Sequence, residues 1–382
     1  MGLPMECKRL SRRLGFFGAL CAALLSCAVQ AALPAFVAPQ AGHMRAHFIN
    51  VGQGSSVLLE FSCAAALIDT GGEMNDQFDS VQALQNYLDA FFARRSDLKK
   101  TFSLVLITQA HIDHTRGLPM VLSHYIVDTY VDNGAETGSG GRQQKAAHAK
   151  AQDSSSHVSW QAVTEPEVNE KGGLPINLST PIPCENNKIQ FHAMWGDLQA
   201  SGGWTSTVLD DQNDSSVVTQ LKFGDTTFLF LGDLEEDVHD AMLGFFCEKP
   251  TSCPALQADV VHVAHHGSYN GTSPDLVAAL SPKLYVMSMG PPNRDGMWTA
   301  VAYGHPRKVA VDMLMTDTKL LARSPPLDAQ LATKAGSKGA ASKGEFVSES
   351  VSKAVYATGW DGTVVISADT MQHLQVDTDG HP

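Results

Sequence analysis

Four segments of the sequence share one layout, in which a short apolar run, typical of a buried strand, ends in residues that can bind a metal ion. They end at Asp69, at the stretch 111–114, at Asp233 and at the pair 265–266. Strand ends that face one edge of a layered fold can converge on a single cleft, where loops on a rigid scaffold carry the chemistry. Imidazole and carboxylate are the ligands that zinc, iron and manganese accept in hydrolytic sites. Together, the four segments predict a hydrolytic metal site.

The elements that must position these residues follow from the spacing of apolar side chains. Alternation predicts strands over 46–51, 55–61 and 64–68, and helical spacing predicts a helix over 81–94. The same patterns predict further strands and helices: strands 102–107, 126–131, 189–195, 217–223, 227–231, 260–264 and 284–287, and helices 118–124, 238–246 and 274–280. Strands come first and then alternate with helices, which favours an α/β fold with sheets sandwiched between helices.

Two stretches interrupt this pattern. Residues 134–180 are polar and rich in Gly, Ser, Gln and Glu, and residues 324–350 are rich in Ala, Lys, Ser and Gly. We predict an insertion or a long loop at each. After them, strands over 354–357 and 363–367 are predicted to close the chain as a hairpin.

The N-terminus has the pattern of an export signal over residues 1–31. Four basic residues between Lys8 and Arg13 precede an apolar run over 14–28, and cleavage before Ala32 suits the small residues there. A lipobox ending at Cys27 and a twin-arginine signal are alternatives. No later stretch reaches the roughly 18 to 20 apolar residues that span a bilayer. The pattern predicts a periplasmic or secreted protein, with a lipid anchor as the alternative.

Export would place the cysteines in an oxidising compartment, where disulfides can form. Four cysteines follow the signal, and in an oxidising compartment they could form the pairs Cys247–Cys253 and Cys63–Cys184. Free buried cysteines are the alternative.

The formal net charge of −13 argues against an extended nucleic-acid surface, although a local basic cleft or a bound metal can still attract an anion.

The combination of motifs resembles the metallo-β-lactamase superfamily, whose hallmark is Thr-His-x-His-x-Asp-His after a buried strand. Within it, the sequence is most similar to the exported hydrolase domain of ComEC-type competence proteins. Four segments carry that likeness: residues 47–54, 212–217, 265–268 and 303–306. The resemblance implies a metallo-β-lactamase-like αββα sandwich over residues 43–370, with the two interruptions as insertions.

The resemblance also implies a ligand set, from which this chain departs at Gln109, where the hallmark has its first His. One metal position would use His111, Asp233 and Asp214, with Gln109 as a weak oxygen ligand. The other would use Asp113, His114, Asp233 and His265. We therefore predict one or two divalent ions, one held firmly and one weakly. Zinc or manganese is expected, and oxygen ligands at the weaker position favour manganese or magnesium. Residues expected around the ligands are Asp69, Gln109, Asn213, His266 and Ser268.

The expected reaction is hydrolysis by a metal-bound hydroxide. Asp113 and Asp233 are expected to hold the water, and the resemblance makes His305 the general acid or oxyanion stabiliser. It also points to a phosphodiester substrate, either a small molecule or a nucleic acid. Two alternatives stay open: hydrolysis of a small ester, lactone or β-lactam, and a non-catalytic binding protein on a degenerate scaffold.

Overall fold

The computed structural model describes residues 38–378, apart from 164–167, 169–172, 180–181, 183–187, 197–211, 293, 295–297 and 335–343. The predicted export signal and Cys184 therefore lie outside the described residues, and the pairing of Cys184 with Cys63 stays a prediction. The predicted disulfide between Cys247 and Cys253 is present. Within the described ranges, no helix is both long enough and apolar enough to cross a membrane.

The strands alternate with short helices after an initial all-strand segment. In chain order, the strands are β1 (His43–Phe48), β2 (Val57–Glu60), β3 (Ala65–Ile68), β4 (Met74–Asn75), β5 (Phe78–Asp79), β6 (Thr101–Phe102), β7 (Leu104–Leu106), β8 (Ile126–Val127), β9 (Thr129–Asp132), β10 (Ser159–Ala162), β11 (Leu174–Pro175), β12 (Ile189–Trp195), β13 (Val218–Phe223), β14 (Thr226–Phe230), β15 (Val260–His262), β16 (Leu284–Met287), β17 (Ala322–Lys334), β18 (Glu345–Lys353), β19 (Val355–Ala357), β20 (Val364–Asp369) and β21 (Leu374–Thr378). The helices are α1 (Ser80–Arg94), α2 (Ile112–Thr115), α3 (Leu118–His124), α4 (Gly141–Gln152), α5 (Glu236–Phe246), α6 (Pro274–Leu280), α7 (Thr299–Tyr303), α8 (Lys308–Met315) and α9 (Thr358–Asp361).

Two large mixed sheets form the body of the fold. One has the strand order β10-β9-β7-β3-β2-β1-β20-β21, and the other has the order β11-β12-β13-β14-β15-β16-β19. Their inner faces share one apolar core, in which the rings of Phe48 and Phe230 stack with centroids 6.4 Å apart. The outer face of the first sheet is covered by α1 and α3, and the outer helices α5, α6 and α8 add buried side chains beside β14–β16. This is the helix–sheet–sheet–helix layering predicted from the sequence.

The hairpin predicted at the end of the chain is wrong. β19 pairs in parallel with β16 in the second sheet, whereas β20 pairs antiparallel with β1 in the first. The short helix α9 carries the chain between the sheets. Asp361 at its end accepts a hydrogen bond from the backbone N–H of Ala357 and forms a buried ion pair with Arg323. Turn and alternation signals could not show that the intervening residues cross the sandwich.

Both interruptions contain more regular structure than a loop. Within 134–180, α4 packs against α3, and β10 extends the first sheet alongside β9. Buried contacts hold α4 in place: His148 Nε2 lies 2.6 Å from Asp132 Oδ2, and its ring stacks on Trp160. Within 324–350, the described residues form most of a long two-stranded hairpin, β17–β18. The polar composition of these segments gives no apolar periodicity from which a helix or strand could be predicted. Contacts with residues distant in the chain stabilise them instead.

Strand direction brings the four predicted segments to one edge. β3 and β7 run parallel in the first sheet, and β14, β15 and β16 run parallel in the second. Asp69 directly follows β3, Gln109 follows β7, Asp233 follows β14 and His265 follows β15. Because carboxyl ends of parallel strands meet at the same edge of a sheet, the sandwich assembles these residues in one cleft.

Candidate metal and active site

The turn into α2 is held close to the end of β3. The backbone N–H of Thr70 donates to the carbonyl of His114 at 2.8 Å, and Ser55 N–H donates to the carbonyl of Asp113 at 3.0 Å. A Cβ on Gly71 would lie 1.6 Å from the Asp113 carbonyl oxygen, so only glycine fits there. This close backbone approach fixes where Asp113 and His114 sit in the first turn of α2.

Four side chains meet at the strand ends. In the part of the chain that the structure describes, one potential ligand atom each from Asp113, His114, Asp233 and His266 lies within 4.8 Å of the others. His114 Nε2 is 3.0 Å from Asp233 Oδ2, and His266 Nε2 is 3.4 Å from Asp113 Oδ2. Two imidazole nitrogens and two carboxylates form a donor set that suits zinc, manganese or iron.

The Nδ1 atoms of His114 and His266 are hydrogen-bonded to other residues. His114 Nδ1 lies 2.8 Å from Asp69 Oδ2, and His266 Nδ1 lies 2.6 Å from the Ser288 carbonyl oxygen. Because a carboxylate and a carbonyl only accept, each Nδ1 carries a hydrogen, and Nε2 is the nitrogen that can offer a lone pair to a metal ion. Both Nε2 atoms are buried and have no hydrogen-bond partner among the described residues. The site therefore fits a divalent cation.

Asp69 is built to orient His114. Its backbone is left-handed, with φ of 59°, and its side chain is 1% exposed. The carboxylate accepts from the Thr108 backbone N–H at 2.8 Å, from the Thr108 hydroxyl and from His114 Nδ1. Aspartate tolerates this backbone region because its short side chain bonds locally. Asp69 thus has the geometry expected of a residue that positions a ligand histidine.

Charge pairing governs ionisation in the cluster. Burial alone would raise the pKa of Asp113, but the close approach of His266 Nε2 and the charge of His114 hold that pKa well below the usual range. For Asp233, the nearby His114 and His266 likewise outweigh burial and keep the pKa low. For His114, burial opposes protonation, but the charges of Asp233 and Asp69 raise its pKa. The carboxylates are therefore ionised and strongly attract cations.

The neighbouring histidines take different places from those predicted. His266, expected beside the ligands, joins the cluster, whereas His265, expected as a ligand, pairs its Nδ1 with Glu235 at 3.1 Å. That hydrogen bond and the charge of Asp233 outweigh burial and raise the pKa of His265 to about 9. Both residues have left-handed φ values, 48° and 54°, which turn the second ring rather than the first toward the carboxylates.

The other predicted residues lie around this cluster. His111 precedes the first residue of α2, without a side-chain capping bond, and lines the cavity, but it is not one of the four clustered side chains. Asp214 is buried in the 3-10 turn 212–215, outside the cavity lining, and Asn213 donates to Glu235 at 2.7 Å. Ser268 donates its hydroxyl hydrogen to Asn270 Oδ1 at 2.7 Å.

Gln109 is fully buried beside the cluster. Its Nε2 lies 2.6 Å from Asp233 Oδ2, and its Oε1 lies 3.2 Å from the Ser216 hydroxyl. The same hydroxyl accepts the backbone N–H of Asp233 at 3.1 Å. Gln109 therefore holds the Asp233 carboxylate through its amide group.

His305 faces the cluster from the far side. Gln53 Oε1 accepts the backbone N–H of Gly290 at 3.0 Å, so its Nε2 must be the atom that lies 2.9 Å from His305 Nδ1. That nitrogen then accepts, and the ring hydrogen sits on Nε2. Burial, together with the charges of His266 and His265, lowers the pKa of His305 well below its ordinary value. His305 is thus a neutral hydrogen-bond donor.

Three of the four clustered residues, Asp113, Asp233 and His266, line a cavity of about 480 Å³. Two arginines line its wall with them. Arg116 donates its Nε–H to the Gly72 carbonyl at 2.9 Å, and Arg307 lies over the Tyr269 ring at 5.5 Å. Arg307 Nε is buried, with no hydrogen-bond partner among the described residues. The cavity thus combines a metal-capable floor with positive charge on its wall.

A profile of the metallo-β-lactamase superfamily matches residues 49–290, which is more than half of the chain. The chain belongs to the metallo-β-lactamase superfamily. A curated relative, ComE operon protein 3 of Bacillus subtilis (strain 168), is 24% identical over 274 residues, which cover 70% of this chain. The match spans only 30% of that relative's length.

Solved structures with a similar fold include the metallo-β-lactamase fold protein YhfI from Bacillus subtilis. It has 10% identity and a TM-score of 0.42, over 81% of this chain and 100% of that one. The short form of human tRNase Z has 13% identity and a TM-score of 0.36, over 63% of this chain and 90% of that one.

The superfamily match confirms the predicted αββα sandwich and the prediction of a metallo-β-lactamase-fold hydrolase. Members of this superfamily typically bind one or two divalent ions, and the clustered His and Asp residues could hold one. Three cavity residues were not predicted from the sequence: Gln53, Arg116 and Arg307. Each had a local signal, because Gln53 lies within the segment 47–54, Arg116 follows the stretch 111–114 by two residues, and Arg307 directly follows the segment 303–306.

Proposed function

We propose that this chain is an exported, metal-dependent hydrolase of phosphodiesters. The observation that carries the choice of substrate is the pair of guanidinium groups, Arg116 and Arg307, on the wall of the cavity whose floor is the metal-capable cluster. The chain as a whole is acidic, with a formal net charge of −13, so this local positive charge runs against its overall composition. Arginine recognises the paired oxygens of a phosphate well, and a neutral ester or lactone needs no such charge.

In such a hydrolysis, water adds to phosphorus, the ester P–O bond breaks and the leaving oxygen gains a proton. A divalent ion supplies, when bound, acidification of water and polarisation of the bond under attack. Asp113, ionised and with its side chain 33% exposed, can accept the proton of the attacking water. His305 Nε2–H can donate a hydrogen bond to the leaving oxygen, and the two arginines bind the non-bridging oxygens.

Export is supported by the sequence alone. The basic residues between Lys8 and Arg13 and the apolar run over 14–28 have the order of a cleavable signal. Expression of the full chain in a Gram-negative host, followed by fractionation and mass measurement, tests this. A periplasmic product beginning at Ala32 supports it, a membrane-bound product beginning at Cys27 supports the lipid-anchored alternative, and an uncleaved cytoplasmic product contradicts export.

The substrate proposal is tested with the mature chain, loaded with manganese or zinc. Bis(p-nitrophenyl) phosphate, a chromogenic cephalosporin and an aliphatic lactone are compared as substrates. We expect phosphodiester cleavage that is lost in Asp233→Asn. Loss of a charged hydrogen bond in Arg307→Met is expected to raise KM by about tenfold or more. Arg94→Met, at the exposed end of α1, serves as the matched control and is expected to leave KM unchanged.

Three results would contradict the proposal. Cleavage of the lactone or the cephalosporin without phosphodiester cleavage would make the chain a small-ester or β-lactam hydrolase. Stoichiometric metal with no turnover of any substrate would favour a binding protein. An unchanged KM in Arg307→Met would remove the observation on which the substrate choice rests.

A further inference from the structure

Gln109 occupies a position that governs how many metal ions the site can hold. It lies directly against Asp233, whose carboxylate oxygens lie 3.0 Å from His114 Nε2 and 3.5 Å from His266 Nε2, and it is fully buried. A glutamine could present either its carbonyl oxygen, which binds cations, or its amide NH₂, which repels them. Which of the two groups faces Asp233 therefore decides whether a second ion can share that carboxylate.

The hydrogen-bond network fixes this choice. The Asp233 backbone N–H can only donate, and it donates to the Ser216 hydroxyl at 3.1 Å. The Ser216 hydroxyl then has its own hydrogen to donate to Gln109 Oε1, 3.2 Å away. The carbonyl oxygen of Gln109 is thereby taken, and its Nε2 faces Asp233 Oδ2.

The reversed amide is ruled out by chemistry. It would place Gln109 Oε1 2.6 Å from Asp233 Oδ2, so that two acceptors would face each other. No water can rescue the contact, because the Gln109 side chain is 0% exposed. The NH₂ group therefore stays on the carboxylate.

We infer that Gln109 blocks a second metal position, so that this chain holds a single divalent ion, bound by Asp113, His114, Asp233 and His266. The inference rests on the metal site of the proposed function and sharpens it. The remaining side chains once expected at a second position do not compensate. In the described part of the chain, neither His111 nor Asp214 belongs to the clustered ligand set.

The test counts ions without relying on activity. The mature chain is saturated with Mn²⁺, freed of excess, and examined by native mass spectrometry and electron paramagnetic resonance. We expect one ion per wild-type chain, with the hyperfine pattern of an isolated Mn²⁺. Gln109→Glu is nearly isosteric but places a second carboxylate against Asp233. Because that pair needs a cation between its charges, we expect two ions per chain and a spin-coupled signal.

Gln109→His provides a second variant in case Gln109→Glu does not fold, and it too is expected to bind two ions. Gln190→His, an exposed position on β12, is the control for adventitious binding by an added histidine and is expected to stay at one. Two ions in the wild-type chain, or one ion in every folded Gln109 variant, would overturn the inference. Zero ions in the wild type would contradict the metal site itself, and with it the proposed function.

Discussion

Asp69→Asn is expected to weaken metal binding by about 100-fold while leaving the fold intact. Asparagine has the same shape and tolerates the left-handed φ of 59° at this position. The Thr108 backbone N–H, 2.8 Å from Asp69 Oδ1, can only donate, so the asparagine oxygen must stay there. The NH₂ group then faces His114 Nδ1, where the carboxylate oxygen now lies. To accept that hydrogen bond, His114 must move its own hydrogen to Nε2.

This change of tautomer removes the lone pair that a metal ion needs. Loss of a residue that orients a ligand histidine typically costs 10- to 100-fold in metal affinity, or about 1.4 to 2.7 kcal/mol. Because the forced tautomer disables the ligand itself, we expect the upper end of that range. Titration of the metal-free chain with Zn²⁺ against a competing chelator measures the affinity.

A matched control separates this effect from loss of a buried carboxylate in general. Asp259 is also buried, accepts the Thr227 backbone N–H at 2.9 Å and precedes β15 at the opposite end from the cavity. Asp259→Asn is expected to leave zinc affinity unchanged. A urea titration first checks that Asp69→Asn unfolds at a concentration similar to that of the wild type. If it does, a Zn²⁺ affinity within about twofold of the wild type would show that His114 does not change its tautomer as expected.

Three further perturbations test other parts of the structure. Gln53→Met frees His305 to take either tautomer, and the lost hydrogen bond is expected to lower kcat about 2- to 10-fold with little change in KM, measured on a phosphodiester. Trp195→Ala empties a fully buried core site and is expected to cost about 3–5 kcal/mol of unfolding free energy in a urea titration. Burial lowers the pKa of His148, but hydrogen bonding to Asp132 outweighs this and raises it. The stabilisation is therefore present below the ordinary histidine pKa of about 6.5 and lost as pH rises through the raised pKa. The Tm difference between wild type and His148→Gln should accordingly shrink as pH rises, and a constant difference would contradict this.

The sequence by itself predicted most of the elements that carry the site. The bounds of the helix 118–124, the helix 274–280 and the strand 284–287 agree with the structure. Local signals suffice there because apolar periodicity is set by which face is buried, and the caps lie within a few residues. The cleft was also predictable from local signals. Each metal-capable motif follows a short apolar run, and strand ends that face one edge of a layered fold can meet in one cleft.

Tertiary structure decided what depends on partners distant in the chain. The polar segment 141–152 became a helix because Asp132 and Trp160 bind His148, and no local pattern shows those contacts. The strand 364–369 pairs with β1, more than 300 residues away, and not with the preceding strand β19, which was its predicted partner.

The same limit applies inside the site. Two adjacent histidines are equivalent in the sequence, and only the left-handed backbone at 265 and 266 turns His266 toward the carboxylates. Likewise, the side chain of Gln109 offers both an oxygen and an NH₂ group. Ser216, 107 residues later, determines which of them meets Asp233. Residue types therefore set which chemistry is available, whereas hydrogen-bond direction, fixed only in the folded chain, decides which atoms perform it.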